Sequence, residues 1–275
     1  MLGPLVPECA GTLGTYVREP ALRRSRVRTE ELSPVERNLF TQVRRANPVL
    51  EDPISIELHD YVRDLFAPED DTFKELTAAS RSAGMPFGWE ISPDVGRLFQ
   101  MLCALVGARR VLEFGTFAGH SALWFARALP ADGKVVSIEI NPEYAAFSRS
   151  RLKMAGVGDM VEVREQPALE AIVEIEAEVR AGGDRYDVVF LDTEKAYYPR
   201  FLEWAPSVLR PGGLLLADNV LRSPSWKGQT LLDPASDDAR IIAIREFNRK
   251  LAEHPNFIAT IVPMRAGVAV GVYKP

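Results

Sequence analysis

The sequence predicts an α/β fold in which helices cover a doubly wound, mostly parallel, seven-stranded sheet with an antiparallel edge strand. From about residue 110 onward, strand-like and helix-like segments alternate, which is typical of parallel strands joined by crossover helices. Two strand candidates, at 186–191 and 214–217, are nearly continuous apolar runs, as a sheet buried on both faces requires. The last two candidates are separated only by residues 264–267, and this short connection predicts a hairpin and hence the antiparallel strand.

Three helices are predicted ahead of the sheet. Apolar residues recur at helical spacing over 56–65 and again over 73–79. Ser92-Pro93-Asp94 is a favourable helix start, and the apolar pattern from Val95 to Leu105 gives the third helix its buried face. The strands are predicted at 111–114, 134–140, 161–165, 186–192, 213–218, 257–263 and 268–273. The helices of the sheet region are predicted near 120–129, 142–155, 168–180, 197–209 and 238–253.

The composition limits the class of protein. The chain has 275 residues, of which 47% are hydrophobic and 26% charged, so a disordered or fibrous chain is excluded. A formal net charge of −5 argues against a nucleic-acid binder, and no apolar stretch is long enough for a membrane span. We expect no disulfide framework from Cys9 and Cys103, and the start does not resemble a secretory signal. We therefore expect a cytoplasmic protein with neither nucleic acid nor membrane as a partner.

The first part of the chain differs from the rest. Residues 1–52 are rich in Arg and Pro and lack strand patterns, so we expect an N-terminal extension followed by a domain over 53–275. The extension is predicted to be partly helical, because Ser33-Pro34-Val35-Glu36 combines a capping Ser with Pro and Glu in the first turn. The basic stretch 18–28 is most simply a solvated arm, and a partner-binding role is the alternative.

Two acidic strand ends indicate a cofactor site. In a Rossmann-like sheet, ligands bind at the carboxyl ends of the strands. Glu113 ends the first strand just before the turn Gly115-Thr-Phe-Ala-Gly119, and Glu139 ends the second. An acid before the first glycine would attract a cationic amine, and one at the second strand end would bind ribose hydroxyls. The alternative is a pair of loop acids near helix starts, where the helix dipole favours them.

Together these features predict a ligand with both a nucleoside and an amine, as in S-adenosylmethionine. Ile140, beside Glu139, would pack on the base of such a ligand. Ala168 opens the helix after the third strand, and its amide would border the adenine, although a plain helix start explains it equally well.

A second polar group follows strands four and five. Asp192, Asp218 and Asn219 come directly after these strands and are expected at the same edge of the sheet. Two carboxylates and an amide oxygen are ligands suited to Mg²⁺ or a similar divalent cation. Each residue alone is more often the cap of a following helix. Two adjacent carboxylates would repel each other, however, and a bound cation would remove this repulsion.

Lys195 lies at the rim of the same predicted pocket. Near a cation and partly shielded from water, its pKa would be lowered, and it would accept a proton from a hydroxyl group. Position alone favours a solvent-facing lysine at a helix start. The three histidines have no acid or serine at a recognisable spacing, so neither a Ser/His/Asp hydrolase nor a zinc site is supported.

The motifs in combination resemble the cation-dependent O-methyltransferases, which include catechol and caffeoyl-CoA O-methyltransferases. The resemblance rests on Glu113-Phe-Gly-Thr-Phe-Ala-Gly-His-Ser, Ile138-Glu-Ile-Asn-Pro-Glu, Arg164-Glu-Gln-Pro-Ala-Leu, Phe190-Leu-Asp-Thr-Glu-Lys and Leu216-Ala-Asp-Asn. It covers roughly residues 55–275 and implies a class I S-adenosylmethionine-dependent methyltransferase domain.

The resemblance also implies a role for each site residue. The cofactor would contact Glu113, Gly115, Ser121, Glu139, Ile140, Ala168, Asp192 and the segment that ends at Ile91. The cation would be held by Asp192, Asp218 and Asn219. Lys195 would be the catalytic base, assisted by Asp192. The implied partners are a hydroxylated small molecule and, in a homodimer, a second copy of the chain.

The predicted activity is transfer of a methyl group to a metal-chelated hydroxyl of a small aromatic, catechol-like or natural-product acceptor. Two departures from the family pattern leave the acceptor open. The chain has Asp192-Thr-Glu-Lys195 where Asp-Ala-Asp-Lys is frequent, and Arg265-Ala-Gly267 where Asp-Gly is frequent. One alternative is a metal-independent methyltransferase acting on a carboxylate, amine or other group. The second is a non-enzymatic cofactor-binding module with a partner-recruiting basic arm.

Overall fold

The computed structural model describes residues 56–222 and 230–275. The predicted N-terminal extension, including the short helix after Ser33, lies outside the described residues. The proposed division of the chain into 1–52 and 53–275 therefore stays a prediction.

The described elements follow the predicted order closely. Three helices come first: α1 (Ile56–Phe66), α2 (Asp71–Ser82) and α3 (Pro93–Val106). The alternating region contains β1 (Arg110–Phe114), α4 (His120–Ala126), β2 (Lys134–Glu139), α5 (Pro142–Met154), β3 (Val161–Glu165), α6 (Ala168–Arg180), β4 (Tyr186–Leu191), α7 (Tyr198–Trp204) and β5 (Leu209–Ala217). The chain continues with α8 (Ala239–Glu253), β6 (Phe257–Val262) and β7 (Val268–Tyr273). None of the helices in the described ranges is long and apolar enough to cross a membrane.

The strands form one seven-stranded sheet in the order β3-β2-β1-β4-β5-β7-β6. Strands β1 to β5 are parallel, and β7 pairs antiparallel with both β5 and β6. The predicted α/β class, the strand number and the antiparallel pairing at this edge are confirmed. The structure refines the last point, because the antiparallel strand β7 lies inside the sheet and β6 forms the edge.

Both faces of the sheet are buried at its central strands, as their apolar sequences predict. All six residues of β4 are buried. Alternate residues of β1 contribute to different core clusters, with Leu112 and Phe114 in one and Val111 in the other. This arrangement satisfies the strand periodicity of two, and it leaves the loops at the strand ends as the places where polar side chains converge.

Two predicted helices are shorter than expected. The helix predicted near 120–129 ends at Ala126. The prediction for 197–209 becomes a 3₁₀ turn (Lys195–Tyr197), α7 and a second 3₁₀ turn (Ala205–Ser207). Strand β5 then begins at Leu209 instead of 213. The register shifts between the Tyr186–Leu209 and Val188–Leu214 pairs, so a bulge accommodates the additional residues of β5.

Candidate active site

Backbone hydrogen bonds continue the sheet past the carboxyl ends of its central strands. The amide of Gly115 donates to Ile138 O (2.9 Å), that of Asp192 to Phe114 O (2.9 Å) and that of Asp218 to Leu191 O (3.0 Å). These bonds hold the loops after β1, β4 and β5 side by side. The predicted cofactor and cation residues of these three loops therefore lie at one edge of the sheet, as expected.

Gly115 is required by the crowding in this region. Its φ of +104° lies in the left-handed region that favours glycine, and a Cβ atom here would overlap the carbonyl oxygen of Asp192. The glycine therefore allows the turn after β1 to pack directly against the loop after β4. The turn after β1 (residues 115–119, the cofactor loop) is consequently in backbone contact with the loop that carries Asp192 and Lys195.

Glu113 is fully buried between polar hydroxyls. The Ser137 hydroxyl donates to its Oε2 atom, and Oε1 has no hydrogen-bond partner among the residues that the structure describes. Burial raises the pKa of Glu113 to about 8, although the Ser121 and Ser137 hydroxyls oppose this rise. An unpaired buried carboxyl oxygen is costly unless a ligand satisfies it, so the site fits a ligand with an ammonium group.

Glu139 has a different environment. Its Oε2 accepts a hydrogen bond from the amide of Phe117 and its Oε1 one from the amide of Asn141, both at 2.8 Å. The carboxylate is thereby fixed at the end of β2, and each oxygen retains a lone pair that can accept a ribose hydroxyl. The following residue, Ile140, is 69% exposed, so its side chain is available to pack on a base.

The remaining predicted cofactor residues occupy different positions. Ser121 lies in the first turn of α4 and is buried, close enough to influence the Glu113 carboxyl. Ile91 is buried just before α3. Ala168 is the first residue of α6, after β3. Their binding roles stay predictions.

Lys195 is buried, not solvent-facing. Its ammonium donates to Asp192 Oδ1 (2.9 Å) and to the Tyr198 hydroxyl (2.7 Å). The Tyr198 hydroxyl in turn donates to Leu191 O (2.8 Å) and lies 3.2 Å from Asp218 O. Lys195 is thus held between the loops after β4 and β5, beside both of the predicted carboxylate ligands.

The side chains around Lys195 do not by themselves lower its pKa, so the lowering expected beside a bound cation stays a prediction. Burial favours the neutral amine, but the Tyr198 hydroxyl and the Asp192 and Asp218 carboxylates outweigh it. Together they raise the pKa of Lys195 above its ordinary value. The sequence reveals the acids that flank the lysine but not how closely they surround it.

Asp218 and Asp192 influence each other electrostatically. Asp218 is buried, and its Oδ1 accepts a hydrogen bond from the amide of Asn219 (2.7 Å). Burial and the Asp192 carboxylate raise the pKa of Asp218 to about 7, against the lowering effect of Lys195. Asn219 follows with a left-handed backbone, at φ +59°.

These three residues fit a hard divalent cation by their chemistry. A cation would relieve the repulsion between the two carboxylates, and an amide oxygen is a suitable third ligand. Within residues 56–222 and 230–275 there is no group of three or more His, Cys, Asp and Glu side chains arranged for a metal. The candidate set contains only two such residues, and waters and acceptor oxygens would have to complete the coordination.

Two features of the site were missed by the sequence analysis. Tyr198 is fully buried and binds Lys195, and its spacing of three residues from Lys195 is the available signal. Phe117 has a left-handed backbone at φ +48° and contacts two aromatic rings, those of Trp89 (5.7 Å between centroids) and Tyr144 (5.2 Å). No local pattern indicates this aromatic group, because its members come from three separate segments.

Comparison with known proteins identifies the family. The O-methyltransferase family model matches residues 64–273. A catechol O-methyltransferase from Niastella koreensis is 34% identical over 219 residues, which cover 78% of this chain and 95% of the relative. The chain belongs to the O-methyltransferase family, so the resemblance found in its motifs is confirmed, and so is the prediction of an O-methyltransferase.

Solved structures agree with this assignment. An O-methyltransferase from Bacillus cereus, in complex with SAH, has a TM-score of 0.71 and 33% identity, covering 79% of this chain and 97% of its own. TomG from Streptomyces achromogenes, an O-methyltransferase of tomaymycin synthesis in complex with SAM, has a TM-score of 0.71 and 32% identity, with coverages of 80% and 96%.

Proposed function

We propose that the protein transfers a methyl group from S-adenosylmethionine to one hydroxyl of a small acceptor with two adjacent oxygens, such as a catechol. The products are the methyl ether, S-adenosylhomocysteine and a proton. The contact between Lys195 and Asp192 is the observation that carries the proposal, and the amide of Asp218 bonds to the carbonyl oxygen of Leu191 just before Asp192. The contact brings a proton-accepting side chain to the predicted cation ligands.

The cofactor half of the proposal rests on Glu113 and Glu139. The unpartnered oxygen of buried Glu113 would accept a hydrogen bond from the cofactor's amino group. Glu139, held by two backbone amides, would accept hydrogen bonds from the ribose hydroxyls. The SAM and SAH complexes of the two related structures support this choice of cofactor.

The cation half of the proposal rests on Asp192, Asp218 and Asn219. A bound Mg²⁺ or similar ion would supply positive charge that acidifies the acceptor hydroxyl and offsets the carboxylates beside Lys195. Lys195, in its neutral form, would then accept the hydroxyl proton. Tyr198 and Asp192 hold its amine between the loops after β4 and β5, beside the predicted cation ligands.

The other parts of the proposal concern the whole chain. We expect residues 53–275 to form the methyltransferase domain and residues 1–52 to be an extension of it. A homodimer and a cytoplasmic location complete the proposal. A metal-independent methyltransferase is the competing function, since Glu113 and Glu139 serve either reaction, and only the cation distinguishes the two.

The test is methyl transfer from S-adenosylmethionine to a panel of catechols, measured with and without EDTA. We expect EDTA to abolish turnover and added Mg²⁺ to restore it. Asp218→Asn should lose most activity but retain S-adenosylhomocysteine binding in calorimetry, because Asp218 serves the cation. The matched control is Asp159→Asn, an exposed acid just before β3, which should leave turnover unchanged.

Full turnover in EDTA would instead support the metal-independent reaction. Binding of S-adenosylhomocysteine without turnover on any diphenol would direct the search to other acceptors. Equal loss of activity in Asp218→Asn and Asp159→Asn would contradict the assignment of Asp218.

A further inference from the structure

Left-handed backbone at non-glycine residues marks three loops of this protein. In the described ranges these residues are Phe117 (φ +48°), Asn219 (φ +59°) and Arg265 (φ +52°). Such conformations cost free energy and cluster at functional sites. Phe117 lies in the loop after β1 that is expected to bind the cofactor. Asn219 lies in the loop after β5, called the cation loop here (residues 218–222). Arg265 lies in the turn between β6 and β7, to which the sequence analysis gave no functional role.

The β6–β7 turn is bonded to the backbone that follows the cation residues. Gly267 has a φ of +86°, and a Cβ atom there would overlap the side chain of Leu221, so the two segments are in close contact. Four hydrogen bonds connect them: Val220 N to Gly267 O (3.1 Å), Leu221 N to Ala266 O (3.0 Å), Arg222 N to Ala266 O (3.1 Å) and Arg222 Nε to Arg265 O (3.0 Å). The position of the turn therefore sets the position of residues 220–222, directly after Asp218 and Asn219.

The side chain of Arg265 contacts the first helices, α1 and α3. Its Nε donates to Asp94 Oδ2 (2.8 Å), and its guanidinium also approaches the carbonyl oxygen of His59 (3.4 Å). The Asp94 side chain is only 3% exposed, and its other oxygen has no hydrogen-bond partner in the described part of the chain. A carboxylate buried in this way depends on its cationic partner.

Asp94 lies in the first turn of α3, three residues after Ile91. The Arg265–Asp94 ion pair therefore connects two parts of the site. One is the segment that ends at Ile91 and is expected to border the cofactor, and the other is the 264–267 turn, which is bonded to residues 220–222. We propose that Arg265 is a positioning residue, which through Asp94 fixes the 264–267 turn and thereby the backbone carrying Asp218 and Asn219. This inference rests on the proposed function, since it assigns Arg265 to the cation site of that function.

The test uses Mn²⁺ as the probe, its binding to the full chain measured by electron paramagnetic resonance without acceptor or cofactor. Arg265→Gly removes the ion pair but relieves the left-handed backbone, so a residue without a positioning role would leave Mn²⁺ binding unchanged. We expect at least fivefold weaker Mn²⁺ binding. Binding of S-adenosylhomocysteine, measured by calorimetry, should stay within twofold, because Glu113 and Glu139 are untouched.

Two further variants separate positioning from general loss of structure. Asp94→Asn keeps the shape of the side chain and should weaken Mn²⁺ binding similarly, without adding to the effect of Arg265→Gly in the double variant. Arg265→Lys retains a cation at the same place and should recover most of the affinity. The matched control is Arg210→Ala, which breaks the Arg210–Asp187 ion pair and should leave Mn²⁺ binding unchanged.

Unchanged Mn²⁺ binding in Arg265→Gly and Asp94→Asn, with normal binding by the wild type, would overturn the positioning role and leave the proposed function intact. Equal weakening of Mn²⁺ and S-adenosylhomocysteine binding would also overturn it. A wild-type protein that binds no Mn²⁺ would overturn the proposed function, and the positioning role with it.

Discussion

Buried acids at the two ends of the central strands differ in how completely the protein satisfies their hydrogen bonds. At the amino end, Asp187 of β4 uses both of its oxygens. Oδ2 accepts hydrogen bonds from the amides of Arg109 (2.7 Å) and Arg110 (2.8 Å), and Oδ1 accepts one from Arg210. The protein itself satisfies this carboxylate, which fastens the start of β1 to β4 and β5.

At the carboxyl end, two acids, Glu113 and Asp218, are left incompletely satisfied. Glu113 keeps one oxygen without a partner among the described residues, and its pKa is raised to about 8 by burial. Asp218 faces Asp192, and burial together with this neighbour raises its pKa to about 7. The difference teaches that burial of an acid alone is no sign of function, whereas burial without a sufficient partner indicates that a ligand is to supply one.

The largest effect should come from the lysine at the carboxyl end. Lys195→Met keeps the length of the side chain but removes the proton acceptor, so we expect kcat to fall about 10³-fold. Lys250→Met is the matched control, because Lys250 also pairs with two carboxylates, Glu203 and Glu246, but lies on α8. Steady-state kinetics on the best catechol measures both variants. A fall of less than threefold for Lys195→Met would remove the lysine from the mechanism.

Two glycines with nearly the same backbone conformation sharpen the comparison next. Gly115 (φ +104°) contacts the Asp192 backbone, whereas a Cβ atom at Gly182 (φ +101°) would meet nothing. Gly182→Ala should therefore cost only the strain, about 1–2 kcal/mol of unfolding free energy. Gly115→Ala should also displace the loop after β4 and lower kcat by about 10²-fold. Equal activity of the two variants would show that the contact is dispensable.

The third prediction uses pH to distinguish the two ends. An acid whose pKa is raised in the folded state stabilises the protein below its unfolded pKa, and this stabilisation is lost as pH rises through the folded value. Because the folded pKa of Glu113 is about 8, the free energy of unfolding of the ligand-free protein should fall as pH rises from 5 to 8. Glu113→Gln should reduce the slope of the unfolding free energy against pH, measured by urea unfolding at several pH values.

Asp187→Asn is the contrasting variant at the amino end. It weakens the bonds to Arg210 and two backbone amides, so we expect the free energy of unfolding to fall by about 1–3 kcal/mol. A wild-type slope that Glu113→Gln does not change would contradict the raised pKa of Glu113.

The smallest effect is expected at Ile140. Its exposed side chain adds little to folding, so Ile140→Ser should change the free energy of unfolding by less than about 0.5 kcal/mol. If the side chain packs on the adenine, the loss of apolar contact should cost about 1 kcal/mol, or about a fivefold rise in the Kd for S-adenosylhomocysteine. Calorimetry with unchanged affinity would remove Ile140 from the site.

Much of the fold was predictable because local patterns encode it. Apolar runs such as Tyr186–Leu191 identify buried strands, and the short connection before β7 identifies a hairpin. Because ligands bind at the carboxyl ends of parallel strands, Glu113 and Asp192 could be predicted at the same edge of the sheet without any knowledge of distances.

The chemical state of the site was not predictable in the same way. The pKa of Lys195 depends on its burial and on its distances to Tyr198, Asp192 and Asp218, which no periodicity encodes. The Arg265–Asp94 pair joins residues 171 positions apart, and neither residue has a local signal that points to the other. The early start of β5 depends on a bulge in its pairing with β4, which the apolar pattern does not reveal.

The internal position of β7 has a consequence for synthesis of the chain. Strand β5 pairs with β4 on one side and with β7 on the other, and the Leu214–Val272 pair joins distant parts of the sequence. Until β7 has left the ribosome, β5 is an uncovered apolar edge, the kind of strand to which another unfinished chain can add. The nascent protein should thus be most prone to aggregation after β5 has emerged, and protection should arrive with β7, when the cation loop is also fixed.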